Sequence, residues 1–214
     1  MVGAMRRKVG IPSWIGRLAL GAVLLLAALS FRAAAAPPPE TDPLVGQLLV
    51  AAPDLGDPRF DHAVILVVRH GAGGALGIII NNPVGERPLA RLMAEIGHPD
   101  RSVKGSVRIF AGGPVQPEVG FIIHSTDYHR PETIAIDGKV AMTSSPEILR
   151  DIGHGRGPAK ALVAFGYTGW GPGQLEAEME RNEWFTAPDD PALLFDMPRE
   201  NVWDEAMARR TRSL

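Results

Sequence analysis

The sequence of 214 residues contains no cysteine, and aromatic residues make up only 6% of it. Without cysteine, the chain cannot form disulfide frameworks, thiolate nucleophiles, cysteine-ligated zinc sites or iron–sulfur clusters. It also lacks the Gly-x-Ser-x-Gly elbow of serine hydrolases. These absences remove several large classes of enzyme, so the function must rest on oxygen and nitrogen side chains.

Neither sign of charge dominates the whole chain, whose formal net charge is −2, but the charge is unevenly distributed. The first 36 residues carry five basic residues and no acidic one, which leaves 17 basic and 24 acidic residues in the remaining 178. Non-specific nucleic-acid binding needs clustered lysine and arginine that displace counterions from phosphates. We therefore expect no direct binding of nucleic acid by this acidic body.

The longest uncharged apolar run, residues 18–31, has 14 residues. A membrane-spanning helix needs about 20 apolar residues, whereas the core of a secretory signal uses about 7–15. We interpret residues 1–36 as a signal peptide-like leader and the proline-rich residues 37–43 as an extended linker. Residues 44–214 would then form one domain in a periplasmic or exported protein that contacts the membrane only through its leader. Arg17 and Arg32 flank the run, so an inner-membrane anchor stays an alternative.

The body contains more strand signals than helix signals. Short apolar runs predict strands at residues 46–52, 63–68, 75–80, 107–111, 119–124 and 161–165. Asp137-Gly138 predicts a hairpin between residues 133–136 and 139–142. Helices are predicted at residues 89–96, from a serine cap at Ser144-Ser145 to about 155, at 172–184 and from 201. The pattern indicates an α+β fold, a single compact domain with a largely antiparallel or mixed β-sheet and flanking helices.

Two apparent motifs carry little functional information. The glycine cluster at residues 71–77 lacks the third glycine of a dinucleotide fingerprint and runs into a strand, which favours a tight turn with close backbone approach. The six histidines include no pair at the spacing of a helical zinc-binding motif. We therefore predict neither a metal nor a cofactor.

His70 and His124 each lie at the end of an apolar strand. Such an imidazole can project as a binding group, or it can satisfy a neighbouring carbonyl, and the second interpretation is favoured.

The densest constellation is the segment 166–182, in which Tyr167 and Trp170 stand among four glycines. A helix that starts near Pro172 explains Gln174, whose amide can bond back to Gly171 as in a capping box. It does not explain the two aromatic residues. An aromatic-lined notch above the helix start is typical of a site for a small ligand or a peptide.

These blocks resemble the YqgE/AlgH family in order and spacing, over about residues 44–210. The resemblance rests on residues 46–53, 74–77, 112–115 and 166–176. It implies an α+β fold and a function that is uncharacterised for most members, although one branch is associated with transcriptional regulation of alginate production. Val119 and Arg69 depart from the family pattern, which typically has arginine and an acidic residue there. The leader is also atypical, because members are generally taken to be cytosolic.

Our leading hypothesis is a non-catalytic binding or regulatory protein whose groove engages a protein, a peptide or a small molecule. The candidate ligand-binding residues are His70, Gly74, Asn81, Gly112, Gly113, His124, Tyr167, Trp170, Gln174 and Glu176. The alternative is a small-molecule hydrolase in which His70 or His124 is a base oriented by Glu176 or Glu178, within about 2.6–3.2 Å. A third class, an assembly factor acting through an exposed apolar patch, and the oligomeric state stay open.

Overall fold

The computed structural model describes residues 44–211. The predicted leader (1–36), the predicted linker (37–43) and residues 212–214 lie outside the described residues. Within residues 44–211, no helix is both long and apolar enough to span a membrane.

The described chain forms ten strands in one curled sheet. They are β1 (Leu48–Ala51), β2 (Val64–Gly71), β3 (Gly74–Ile79), β4 (Pro83–Pro88), β5 (Ser106–Ala111), β6 (Val115–Ser125), β7 (Ile134–Ala135), β8 (Val140–Thr143), β9 (Ala161–Trp170) and β10 (Trp184–Ala187). The order is β10-β1-β2-β3-β9-β6-β8-β7, and β5 lies beside the first half of β9 with β4 beyond it. The β5–β9 pair is parallel and every other pair is antiparallel. The α+β fold with a mixed, largely antiparallel sheet is thus confirmed.

Four short α-helices flank the sheet: α1 (Leu89–Glu95), α2 (Glu147–Gly153), α3 (Gln174–Glu180) and α4 (Val202–Ala208). The predicted helix at residues 172–184 was too long at both ends. Gly173 adopts a left-handed conformation (φ 70°) that starts α3 only at Gln174, and Trp184 already belongs to β10. Pro172 therefore lies outside the helix.

The predicted start of α2 is wrong in detail. The helix begins at Glu147 after Pro146, and Ser145 Oγ accepts only a long hydrogen bond, 3.4 Å, from the Glu147 N–H. The Glu147 carboxylate pairs with Arg150 instead of reaching back to the helix start. The ion pair therefore replaces the capping box that the sequence predicted.

Strand β4 was not predicted from the sequence, and β9 extends further than predicted. Residues 83–88 form β4, and all six residues of this strand are exposed. Because neither face is buried, its sequence shows no alternation of apolar and polar residues. Strand β9 continues through Trp170 because Gly166 (φ 75°) adopts a left-handed conformation inside it. This bulge reverses the alternation, so Tyr167 packs on the same cluster as Ala164, whereas Trp170 enters the opposite one.

The sheet is buried on both faces, which explains its continuous apolar runs. Leu48 belongs to one core cluster and its neighbour Leu49 to another, on the opposite face of β1. Helix α3 covers the second cluster through Leu175, with Met179 packed beside it. The helix that the sequence linked to function is therefore fixed onto the sheet by its apolar face.

Candidate functional site

Helix α3 carries one glutamate on each flank, and each binds a different part of the sheet. Glu178 points towards the ends of β9 and β10, where it meets Trp170 and Trp184. Glu176 points towards the end of β2, where it meets His70. Glu176 and Glu178 reach different parts of the sheet because residues two apart on a helix project in widely different directions.

The carboxylate of Glu178 accepts hydrogen bonds from three neutral groups. The Nε1–H groups of Trp170 and Trp184 donate to Oε2 at 2.7 and 2.9 Å, and the Nε2–H of Gln174 donates to Oε1 at 2.8 Å. The two indole rings are almost perpendicular, with centroids 5.9 Å apart. Within residues 44–211, no lysine or arginine forms an ion pair with Glu178. Its direct hydrogen bonds from these side chains therefore all come from neutral groups.

A groove of about 440 Å³ opens over this cluster, and we call it the indole groove. Its apolar residues are Leu55, Phe60, Pro114 and Val115, beside Trp170 and Trp184; its polar ones are Asp57, Arg59, Thr168, Gln174, Glu178 and Glu183, and Gly56 and Gly169 complete it. Trp170 is 7% exposed and Trp184 is 2% exposed. The indoles therefore form the floor of the groove, whereas the sequence predicted an aromatic-lined notch above the helix start.

Gln174 adopts the predicted capping role, because its Oε1 accepts a hydrogen bond of 3.0 Å from the Gly171 N–H. Its other amide atom binds Glu178, one helical turn later. Gln174 thus joins the start of α3 to the carboxylate below the groove. Tyr167 does not line the groove; its ring packs edge-on against Phe121 with centroids 6.1 Å apart.

His70 and Glu176 meet on the other flank of α3, with 2.6 Å between His70 Nε2 and Glu176 Oε1. The His70 side chain is 12% exposed and that of Glu176 is 49% exposed. The contact satisfies the distance that the hydrolase alternative requires. Neither residue lines the indole groove, so the predicted site divides into two places.

His124 does not share a groove with His70, contrary to the hypothesis, because it is fully buried. Its Nδ1–H donates to the Ser125 carbonyl at 2.9 Å, and its Nε2 accepts from the hydroxyl of Thr143 at 2.9 Å. Burial lowers the pKa of His124, although the hydrogen bond to Ser125 opposes this shift. A neutral histidine with both nitrogens satisfied fits the carbonyl-satisfying interpretation.

The three candidate glycines lie where strands approach too closely for a side chain. A Cβ on Gly74 would lie 2.1 Å from the carbonyl oxygen of Trp170, and one on Gly112 would lie 2.4 Å from that of Gly166. A Cβ on Gly113 would lie 2.1 Å from the Tyr167 carbonyl carbon. These glycines let β9 pack against its neighbours, so the space beside them holds backbone.

Asn81 likewise binds backbone. Its Oδ1 accepts from the Val64 N–H at 2.9 Å, and its Nδ2–H donates to the His62 carbonyl at 2.8 Å. The side chain therefore fixes the entry of the chain into β2.

A serine, a histidine and an aspartate also meet at the surface, at a place the sequence did not indicate. Ser102 Oγ lies 2.5 Å from Asp100 Oδ1 and 3.0 Å from His154 Nε2. Arg156 points an N–H at His154 Nδ1, which leaves the proton on Nε2, so the histidine donates to Ser102. A catalytic serine must instead donate to its histidine. The hydrogen bonds from Ser102, followed by those from Arg150, lower the pKa of Asp100 to about 2, as in a structural surface cluster.

Across the part of the chain that the structure describes, no three histidines or carboxylates converge in a way that could hold a metal ion.

Known proteins resemble this chain over most of its length. A family model described as AlgH-like matches residues 48–213. The chain belongs to the AlgH-like family. A UPF0301 protein of Jannaschia sp. is 46% identical over 172 residues, covering 79% of this chain and 90% of the relative. One of Sphingopyxis alaskensis is 42% identical over 163 residues, covering 76% and 87%. The resemblance in the motif blocks is thereby confirmed.

Two solved structures share the fold of this AlgH-like chain. The solution structure of the AlgH protein from Pseudomonas aeruginosa has a TM-score of 0.68 at 39% identity, covering 78% of this chain and 88% of that one. A crystal structure of a Corynebacterium diphtheriae protein has a TM-score of 0.61 at 22% identity, covering 79% and 88%, and supports the fold alone. Family membership fixes the architecture and leaves the biochemical activity undefined.

Proposed function

We propose that this AlgH-like protein is a non-catalytic binding protein whose indole groove takes up a basic side chain, lysine or arginine, of a peptide or protein. The observation that carries the proposal is the Glu178 carboxylate, which is held in place by three neutral donors and forms no ion pair with a lysine or arginine of residues 44–211. A charge-assisted hydrogen bond to an ionised partner is about twice as strong as a neutral one. An incoming ammonium or guanidinium group would supply that partner.

The apolar lining supports the same class of ligand. Leu55, Phe60 and Val115 border the route to Glu178. Lysine and arginine carry apolar stems that pack on such surfaces while their charged ends reach a polar group. The guanidinium of Arg59 already lies 5.7 Å from the centroid of the Phe60 ring and pairs with Asp57, so the rim itself accommodates a cation.

The overall charge supports the choice of partner. The chain beyond residue 36 has seven more acidic than basic residues, which attracts a basic partner at long range and repels nucleic acid. A regulatory role of the kind associated with one branch of the family would then act through a protein.

The leader favours a periplasmic or exported place of action, which sequencing of the mature N-terminus and cell fractionation would test.

The test compares wild-type protein with Glu178→Gln, using a short blocked peptide with one central lysine as the probe. Because the amide removes the charge, we expect Glu178→Gln to weaken binding at least about tenfold, which corresponds to about 1.4 kcal/mol. Isothermal calorimetry measures the affinity, and intrinsic tryptophan fluorescence, to which Trp170 and Trp184 contribute, gives a second readout.

Glu180→Gln is the matched control, because Glu180 is an exposed glutamate on the same helix and does not line the groove. The same peptide with acetylated lysine controls for the apolar stem. Equal affinity of the acetylated peptide, or of Glu178→Gln and wild type, would contradict the proposal.

The His70–Glu176 contact favours a second candidate, a small-molecule hydrolase in which Glu176 orients His70 as a base. The 2.6 Å distance supports it. We expect a screen of ester, amide and phosphate substrates to find turnover that Glu176→Gln reduces and that Glu180→Gln leaves unchanged. Turnover that survives His70→Gln would exclude this role.

A further inference from the structure

The two ends of the strand order meet at a contact between side chains. Strand β10 stands at one end of the order and the β7–β8 hairpin at the other. Lys139, in the hairpin turn, donates from Nζ to Asp189 Oδ1 at 2.7 Å and to the Asp189 carbonyl at 3.3 Å. Asp189 follows β10 by two residues. We call this contact, formed by Asp137, Lys139 and Asp189, the seam.

Asp189 holds the one buried polar side-chain atom without a hydrogen-bond partner among the described residues. Its side chain is 8% exposed, and its Oδ2 has no donor. A buried carboxylate oxygen without a donor costs free energy, so the structure must compensate for it in some way.

A second carboxyl group, that of Asp137, is close enough to act on Asp189 through its charge and through a side-chain contact. Asp137 Oδ1 accepts from the N–H groups of Lys139 and Val140 at 2.7 and 2.8 Å. These bonds fix the Asp137 side chain in place. Its Oδ2 lies against the backbone of Gly46, where an added Cβ would be 3.2 Å away. The carboxyl groups of Asp137 and Asp189 thus come together from two segments of the chain, and the backbone at Gly46 lies beside Asp137.

The charges around the seam do not balance when both carboxyl groups are ionised. Lys139 supplies one positive charge for Asp137 and Asp189. Asp190 is occupied by Arg209 and by the Ala192 N–H, and Arg209 also binds Glu205 on α4. One proton would leave Asp137, Asp189 and Lys139 with no net charge, which is the favourable state in a buried place.

We propose that Asp137 and Asp189 share one proton in the folded protein, and that this proton closes the seam of the curled sheet. The proton lies on one Oδ2 and is donated to the other, so the oxygen without a donor gains a partner and the repulsion between the two carboxylates disappears. Loss of the proton leaves two like charges facing each other, and the seam opens.

The direction of titration agrees with this geometry. Burial raises the pKa of Asp189, the hydrogen bond from Lys139 opposes the shift, and the charge of Asp137 adds to it. Because the pKa is raised in the folded state, the stabilisation is complete below about pH 4, the ordinary value for aspartate, and is lost as the pH rises through the folded value. The seam is therefore tighter in mild acid than at neutral pH.

An open seam would expose apolar residues. Ile136 and Val140 at one end, and Ala187 and Leu193 at the other, belong to the same core cluster behind the seam. Protonation would thus control access to one edge of that core, which makes the seam a pH-dependent latch between the two ends of the sheet.

The test uses the full chain and Asp189→Asn, which places an N–H donor where the proposal places the proton. We expect the variant to lose the decline in thermal midpoint that wild type shows between about pH 4 and 8, a window above the ordinary aspartate pKa. Hydrogen exchange of the amides at 187–190 should slow in the variant at pH 8. Asp54→Asn, at an exposed aspartate distant from the seam in sequence, is the matched control.

Infrared spectroscopy of the wild-type protein tests the proton without relying on a variant that folds. We expect a protonated-carboxyl band that persists to a higher pH than those of the other carboxyl groups, and that is weaker by one group in Asp189→Asn and in Asp137→Asn. A wild-type decline with pH that Asp189→Asn retains, or the absence of the band from the wild type, would overturn the proposal.

Discussion

Glu178 and Asp189 show two ways in which this fold surrounds a partly buried carboxyl group. The first meets three neutral donors and no lysine or arginine within the described chain, so its charge is stabilised while its capacity for a cation stays open. The second has a lysine on one oxygen and nothing but another carboxyl group beside the other. The surroundings of Glu178 in the indole groove therefore favour an ionised glutamate, whereas those of Asp189 in the seam favour a shared proton.

The largest expected effect concerns the floor of the groove. Trp184→Ala should lower the free energy of unfolding by about 3–5 kcal/mol, because a buried aromatic side chain is replaced by a cavity. Denaturant unfolding measures the change. Trp184→Phe keeps most of the packing and removes the N–H, so a loss as large as that of the alanine variant would show that packing contributes little.

The substitution of each carboxyl group by its amide should have opposite effects in the two regions. Glu178→Gln should destabilise the fold by about 1–3 kcal/mol, because the new amide N–H group must then face either the N–H of Gln174 or those of both indoles. Asp189→Asn should raise the thermal midpoint at pH 8, since the amide supplies the missing donor. Thermal unfolding of both variants at pH 8 checks the pair, and shifts of the same sign would break the comparison.

A smaller effect is expected from Lys139→Met. The lysine holds Asp189 ionised from one side, so its removal should raise the pH at which the seam loses its proton. Lys139 is half exposed, and we expect the thermal midpoint to change little below pH 5. Thermal unfolding across the pH range follows both quantities, and a shift of the transition to lower pH would contradict the assignment.

Strands β1, β2 and β3 and the contact of Gln174 with Gly171 could be predicted from the sequence because their causes are local. Apolar runs marked β1, β2 and β3, and the spacing of Gln174 to Gly171 marked the cap. The helical spacing of Gln174 and Glu178 could also have drawn Glu178 into the candidate site, since residues four apart share a face.

The other parts of the site could not be predicted because they depend on contacts between distant segments. Gly74 and Gly113 were candidate ligand-binding residues, yet their partners are backbone atoms of β9, more than 50 residues away. His124 ends an apolar strand just as His70 does, and only the pairing of β6 with β8 buries it beside Thr143. Local patterns carry no information on which strand covers which residue.

The most direct test of the account follows the indole N–H resonances of Trp170 and Trp184 while a lysine-containing peptide is added. The account predicts that both resonances shift with increasing peptide in wild-type protein, and that the acetyl-lysine peptide leaves them unchanged. Shifts elsewhere on the protein with both indole signals unmoved, or equal shifts with the acetylated peptide, would contradict the claim that Glu178 in the indole groove recognises a basic side chain.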